Sequence, residues 1–260
     1  MKPNPILLEV FKHRFASIAE EMGMALQRTA FSPNIKERRD FSCALFDRRG
    51  EMIAQAAHIP VHLGSMPLSV KAAIEHHEMK EGDMVILNDP FQGGTHLPDI
   101  TLVAPVFVSG EGQGPLFYVA NRAHHADVGG MSAGSMPLST SIFQEGMIIP
   151  PLKIVERGIL KKSLLSLLLR NVRTPEEREG DFAAQLMANR TGIARLMEVV
   201  GKYGLPVVSS YAENLLDYAE RIARQTITTL PDGAYSFEDS LEDDGQGNEN
   251  ITLRATVQIQ

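Results

Sequence analysis

Cysteine, basic charge and long apolar runs are all scarce in this 260-residue sequence, and each scarcity removes a class of protein. Cys43 stands alone, which excludes an internal disulfide framework and fits a reducing compartment. Its surroundings in DFSCALFD are mostly apolar and offer no convincing activating group, so it reads as a buried strand thiol. Lysine and arginine number 25 against 32 aspartates and glutamates, a formal net charge of −7, and no basic stripe is present. That balance argues against a nucleic-acid binder and for small molecules or protein partners. Glu9, Lys12 and Arg14 interrupt the first apolar residues, so no secretion signal is legible there. The greasiest stretch, GILKKSLLSLLLRNV, is broken by Lys161 and Lys162 and is shorter than the ~20 apolar residues of a membrane span. The expectation is a soluble, cytoplasmic protein with no membrane partner. Neither G-x-x-x-x-G-K-[ST] nor a G-x-G-x-x-G following a strand occurs, so no nucleotide cradle is recognisable.

What is present has an ordinary globular composition, 43% hydrophobic and 22% charged, enough for one large domain or two modest ones. Ile6, Leu7, Val10, Phe11, Phe15, Ile18, Met22 and Leu26 recur at helical spacing and predict a long amphipathic helix over 5–29. FSCALFD and EMIAQAA flank Arg48-Arg49-Gly50 as a hairpin, and 66–78 reads as a helix. From residue 83 DMVILND, DITLVAPVFV and PLFYVANRA are rich in strand formers between Gly/Pro punctuation. Helical patterns follow: TPEE, with Thr174 at the N-cap, Pro175 at the first helical position and Glu177 closing a capping box, opens a helix over 175–203. Another covers 208–229 beyond YGLPVV, and strands are expected at 234–241 and 250–259. The predicted class is α+β, a mixed and largely antiparallel sheet core with a helical layer after residue 158. The expected divisions are 1–158, a helical region 159–230 and the start of a β region, 231–260.

Two stretches carry metal-type ligands at the ends of apolar runs. NDPFQGGTHLPDI gathers Asp89, His96 and Asp99, and NRAHHADVGG gathers His124, His125 and Asp127. An antiparallel hairpin over 99–108 and 116–125, centred near Gly112, makes opposed residue numbers sum to 224, with Asp99 facing His125 and Ile100 facing His124, to within about two residues. His96, Asp99 and one of His124 or His125 then meet. Imidazoles with a carboxylate suit Mn²⁺, Fe²⁺ or Zn²⁺, and a protein set smaller than six leaves places for water or substrate. Gly93, Gly94, Gly129 and Gly130 allow close backbone approach to a bound group and donors for an anion. Each ligand also has a structural reading: Asp89 starts a turn, His96 satisfies a loop carbonyl, Asp127 caps the turn before Gly129. His58, His62, His76 and His77 are left unplaced, with His76 and His77 expected to face solvent.

Other motifs are weaker. GMSAG, Gly130 to Gly134, matches G-x-S-x-G with Ser132 at the nucleophile position, but it lacks the preceding strand and following helix of a nucleophile elbow. The acidic run Glu238, Asp239, Glu242, Asp243 and Asp244 lacks EF-hand spacing and reads as a solvated hairpin.

Together with SPNIKERRDFSCALFD, the two ligand-bearing stretches resemble the B-subunit family of ATP-dependent hydantoinases and oxoprolinases, which includes relatives of the ketone carboxylases. The resemblance covers most of the chain. It implies a heteromeric enzyme in which an A-type partner binds ATP and phosphorylates the substrate, and the B-type chain hydrolyses the activated cyclic amide. It further implies a divalent metal, Mn²⁺ by preference with Zn²⁺ or Fe²⁺ as alternatives, on His96, Asp99 and His124, with Glu37 as a fourth ligand. Glu37 can equally pair with Lys36 or Arg38 on the surface. Asp127 is assigned a role beside the centre, orienting an imidazole or hydrogen-bonding substrate. A ketone carboxylase subunit and a noncatalytic assembly subunit are the alternatives. Family members commonly run to about twice this length, beyond ordinary domain size. A complementary C-terminal B-type segment is therefore expected to cover the alternating face of Leu253, Ala255, Val257 and Ile259.

Overall fold

The computed structural model describes residues 4–57, 59–62, 64–108, 110, 114–134 and 137–260. Helix α1, Pro5–Thr29, starts where Asn4 accepts from the amides of Ile6 and Leu7 through its side chain, with Pro5 at the first position. Phe11, Phe15, Ile18, Met22 and Leu26 are buried along one stripe, the spacing the sequence predicts. Each such side chain contributes roughly 1.5–3 kcal/mol through burial. A single turn, α2 (Pro33–Lys36), leads to β1 (Phe41–Asp47) and β2 (Met52–Ala57). After α3 (Met66–His76) come β3 (Met84–Leu87), β4 (Asp99–Val106) and β5 (Phe117–His124).

A short hairpin that periodicity did not reveal, β6 (Leu152–Glu156) and β7 (Ile159–Leu160), comes first, its second strand occupying the start of the region expected to be helical. Helices α4 (Lys162–Arg170), α5 (Pro175–Tyr203) and α6 (Leu205–Ile227) follow. Thr174 is the N-cap of α5, but its side chain makes no capping bond, and Glu177 pairs with Arg178 at 3.0 Å instead of closing a box. Helix α6 restarts at Leu205, earlier than expected, because Gly204 at φ 81° makes the whole break and Pro206 suits a first turn. Strands β8 (Gly233–Asp243) and β9 (Glu249–Ile259) form a separate two-stranded sheet.

The main sheet runs β2-β1-β5-β4-β3-β6-β7, antiparallel throughout, so the α+β class holds. Its two faces differ. Ile100, Leu102, Ala104, Phe117, Val119 and Ala123 join the larger core with α1 and α5. Val103, Tyr118 and Ala120 join a smaller core with Val70 and Ala73 of α3. Alternation along β4 and β5 therefore sends Asp99, Thr101, Arg122 and His124 to the α3 face.

Helix α5 docks through a buried polar stripe as well as apolar contacts. Gln185 Nε2 donates to the Ile100 carbonyl at 2.9 Å, Asn189 Nδ2 to the Leu102 carbonyl at 3.1 Å, and Asn121 Nδ2 to both Gln185 O and Asn189 Oδ1 at 2.9 Å. Gly192 lies against Met22, where a Cβ would collide with the thioether, so its absence of a side chain lets α1 and α5 approach.

The register of the central hairpin differs by one residue from the expected one. Asp99 pairs with His124 and Ile100 with Ala123, a sum of 223. Shifting the turn centre by half a residue exchanges His125 for His124 on the α3 face. The chosen centre, Gly112, lies outside the described residues, as do His58 and part of the segment after Ser132.

Candidate metal centre

The loop before β4 is built to hold His96 beside Asp99. Asn88 ties its two ends together: Nδ2 donates to Leu97 O at 2.7 Å and to Met147 O at 2.9 Å, while Oδ1 accepts from Ile149 N at 2.6 Å. Asp89 starts the turn as its structural reading requires, accepting from Phe91 N and Gln92 Nε2, both at 2.9 Å. Gly93 has φ 88°, and a Cβ there would stand 2.5 Å from Leu68 O. Gly94 lies against the carbonyls of Asn88 and Asp89. These glycines thus serve close packing within the protein.

Asp99 Oδ1 lies 3.2 Å from His96 Nε2 and 3.1 Å from His124 Nδ1. The two rings are 5.1 Å apart between centroids, and one ligand atom from each of the three residues falls within 4.8 Å of the others. Asp99 and His124 are buried, whereas His96 is half-exposed at the mouth. Burial alone would raise the Asp99 carboxyl, but the facing imidazoles of His124, His62 and His96 outweigh it and hold it far below the usual carboxylate range. The bond with Asp99 raises the His96 imidazole from its ordinary value, against burial. A cleft of about 460 Å³ opens onto the cluster, walled by Ile59 and Val61. The larger groove between α1 and α5, about 770 Å³, is remote from these ligands and is lined by Ile6, Val10 and Arg195.

The expected residues divide. His96, Asp99 and His124 converge. Glu37 is the exposed C-cap of α2 and does not join them. Asp40 does line the cleft: its Oδ2 is 3.9 Å from His124 Nδ1, and its carbonyl accepts from His124 N at 2.9 Å. The β1–β5 pairing would have found it, because Phe41 opposes Ala123 and brings residue 40 beside 124. Asp127 accepts from Gly129 N at 3.0 Å and is held by Arg173, through N at 2.5 Å and Nη1 at 2.9 Å. It thereby fastens the Gly129–Gly130 loop to the α4–α5 connection. His125 points to the opposite sheet face, where Nε2 meets Gln185 Oε1 at 2.9 Å.

Sequence reasoning left His62 unplaced and passed over Arg122. His62 is buried, with Nδ1 3.0 Å from Ser42 Oγ and Nε2 3.4 Å from Asp99 Oδ2. Arg122 is fully buried under the cluster and spends its donors on hydroxyls: Nε on Thr101 Oγ1 at 2.8 Å, Nη1 on Ser65 Oγ at 2.5 Å, Nη2 on Ser69 Oγ at 2.6 Å. Burial pulls its guanidinium down to about 10, with Asp99 opposing the shift, so it stays charged at neutral pH. No sequence period marks either residue. Cys43 is fully buried, and burial raises its thiol, as an inert strand cysteine requires. His76 is exposed; His77, also expected at the surface, is partly covered and bonds Pro151 O at 2.8 Å. Ser132 is exposed in a bend, without a preceding strand.

An antiparallel sheet carrying two imidazoles and a carboxylate at an open cleft defines a protein with a candidate mononuclear metal centre; the donor set fits a borderline divalent ion. The hydantoinase B/oxoprolinase family model matches residues 4–260, and the chain belongs to that family. It is 46% identical over 233 residues to an uncharacterized protein of Methanocaldococcus jannaschii, covering 87% of this chain and 41% of that one. It is 41% identical over 240 residues to 5-oxoprolinase 1 of Arabidopsis thaliana, covering 86% and 19%. The crystal structure of the ATP-dependent caprolactamase from Pseudomonas jessenii superposes with TM-score 0.91 at 35% identity, covering all of this chain and 45% of that one. The chain thus spans less than half the length of each.

Proposed function

We propose that this chain is the B-type part of an ATP-dependent enzyme that opens a cyclic amide of hydantoin or oxoproline type. The observation that carries the reading is the convergence of His96, Asp99 and His124 on an open cleft, in a family whose relatives include an oxoprolinase and a caprolactamase. An A-type partner binds ATP and phosphorylates the amide oxygen, which agrees with the lack of a phosphate-binding motif here. Water then adds to the ring carbon, the ring C–N bond breaks with the nitrogen leaving with a proton, and a second water cleaves the resulting acyl phosphate to the carboxylate and inorganic phosphate. A cytoplasmic setting is proposed with this assembly; among the described residues no helix is long and apolar enough to cross a membrane.

His96, Asp99 and His124 hold a divalent ion, Mn²⁺ by preference with Zn²⁺ or Fe²⁺ as alternatives, and Asp40 takes the fourth place once given to Glu37. When bound, such an ion supplies Lewis-acid stabilisation of developing negative charge. Ile59 and Val61 form an apolar wall for the ring. Asp127 keeps the Gly129–Gly130 loop in place and acts on substrate through that loop. A further B-type segment covers the apolar face of β8 and β9, where Phe237 is 73% exposed.

The test is Mn²⁺ titration of the wild-type chain with His96→Ala and Asp99→Ala, followed by ring-opening assays with the A-type partner, ATP and 5-oxoproline or hydantoin. Binding is expected in the wild type and lost in both variants. Unchanged binding in both overturns the ligand assignment, and product formation that requires bicarbonate overturns hydrolysis in favour of carboxylation.

A further inference from the structure

The buried face of Asp99 is served by an imidazole that no ligand set includes. His62 is 1% exposed, and its Nε2 is buried without a hydrogen-bond partner, 3.4 Å from Asp99 Oδ2. Its other nitrogen is fixed: Nδ1 lies 3.0 Å from Ser42 Oγ, on β1. A serine hydroxyl donating to Nδ1 leaves the ring proton on Nε2, facing the carboxylate. The opposite arrangement would turn an Nε2 lone pair toward Asp99, an unfavourable approach of two acceptors. The two carboxylate oxygens are also unequal. Oδ1 faces the cleft imidazoles of His96 and His124, while Oδ2 accepts from Thr95 Oγ1 at 3.2 Å and lies before His62.

We propose that His62 is a positioning residue for the metal centre: oriented by Ser42, it presents Nε2–H to Asp99 Oδ2 and so holds Oδ1 toward His96 and His124. The inference rests on the metal reading above and adds to it the selection of one carboxylate oxygen. Outer hydrogen-bond partners fix ligand orientation and typically govern 10- to 100-fold of metal affinity. The Ser42–His62–Asp99 series has the composition of a hydrolase triad but not its chemistry. Ser42 is fully buried in β1 and cannot reach a substrate.

Two measurements test this role. In the metal-free, ¹⁵N-histidine-labelled chain, the His62 resonance, assigned by its loss in His62→Gln, is expected to show a protonated Nε2. For Mn²⁺, read by the electron paramagnetic resonance of free and bound ion, His62→Leu is expected to weaken binding about 10- to 100-fold. His62→Gln, whose amide can place a donor near Oδ2, should recover most of that loss. An unprotonated Nε2, or undiminished affinity in His62→Leu, overturns the role of His62 while wild-type binding upholds the centre. Equal losses in His62→Gln and His62→Leu overturn positioning through a donor to Oδ2. A wild-type chain that binds no Mn²⁺ overturns the centre and this inference together.

Discussion

Asp99 and His124 are direct cross-strand partners, and the imidazole Nδ1 stands 3.1 Å from the carboxylate Oδ1. The pair is therefore fixed by the sheet, with no loop motion needed to form it. Asp99→Asn keeps the shape and removes the charge. Mn²⁺ affinity should fall by more than about 100-fold, beyond the usual effect of an outer partner, with far-ultraviolet circular dichroism unchanged. Affinity within tenfold of wild type would contradict a ligand role for Asp99.

Asp40 and Glu37 make opposite forecasts three residues apart. Asp40 lines the cleft, whereas Glu37 is exposed at the end of α2. Asp40→Asn should weaken Mn²⁺ binding at least about tenfold, and Glu37→Gln should leave it unchanged. Calorimetric titration of both variants decides which carboxylate belongs to the centre.

Arg122 fills the space between the cluster and α3 with a planar fork matched to three hydroxyls. Arg122→Lys keeps the charge but cannot reach all three, leaving buried polar groups unpaired. The expected loss is about 2 kcal/mol of folding stability, measured by urea denaturation. An unchanged midpoint and slope would show that the fork is dispensable.

Asp83 supplies a pH dependence with a definite sign. It pairs with Lys153 at 2.7 Å and accepts from the amides of Lys80 and Arg157. Burial would raise its carboxyl, but these partners prevail and lower it below the ordinary 3.8. The unfolded chain therefore takes up the proton first, so the stabilisation is present above pH 3.8 and disappears as pH falls through the folded value. Asp83→Asn should cost about 1 kcal/mol at pH 7, with the gap to wild type narrowing in acid. A gap independent of pH would rule out the charge as its source.

Gly94 has no room for a methyl, since a Cβ would run into the Asn88 carbonyl. Gly94→Ala should cost about 1–3 kcal/mol and, by moving His96, also weaken Mn²⁺ binding. Thermal melts with metal titration would show both effects; an unaffected melt would mean that the loop yields freely.

The long helix, the central hairpin and the meeting of His96 and Asp99 with one histidine of the 124–125 pair were legible because periodicity and strand ends are local properties. Which histidine faces Asp99 was not, since parity depends on the unmarked centre of a long connection. Asp40 and His62 were hidden for another reason: both reach the cleft through the position of β1 beside β5, which sequence neighbours do not encode. Resemblance offered Glu37 as a fourth ligand, whereas the backbone turn at Arg39, φ 55°, directs the chain into β1 with Asp40, not Glu37, beside the cleft. The hairpin β6–β7 escaped because its second strand has only two residues.

The sheet order β2-β1-β5-β4 also imposes a timetable on the centre. His96, Asp99 and His124 belong to one loop and one hairpin, whose closure is local and therefore fast. Asp40 and His62 arrive when an earlier stretch of chain docks on the outer edge of that hairpin, a slower, nonlocal event. During refolding, hydrogen-exchange protection of β4 and β5 should precede that of β1. A cation captured by the hairpin first would meet a loose three-residue site, and its final affinity would develop only as β1 closes the edge.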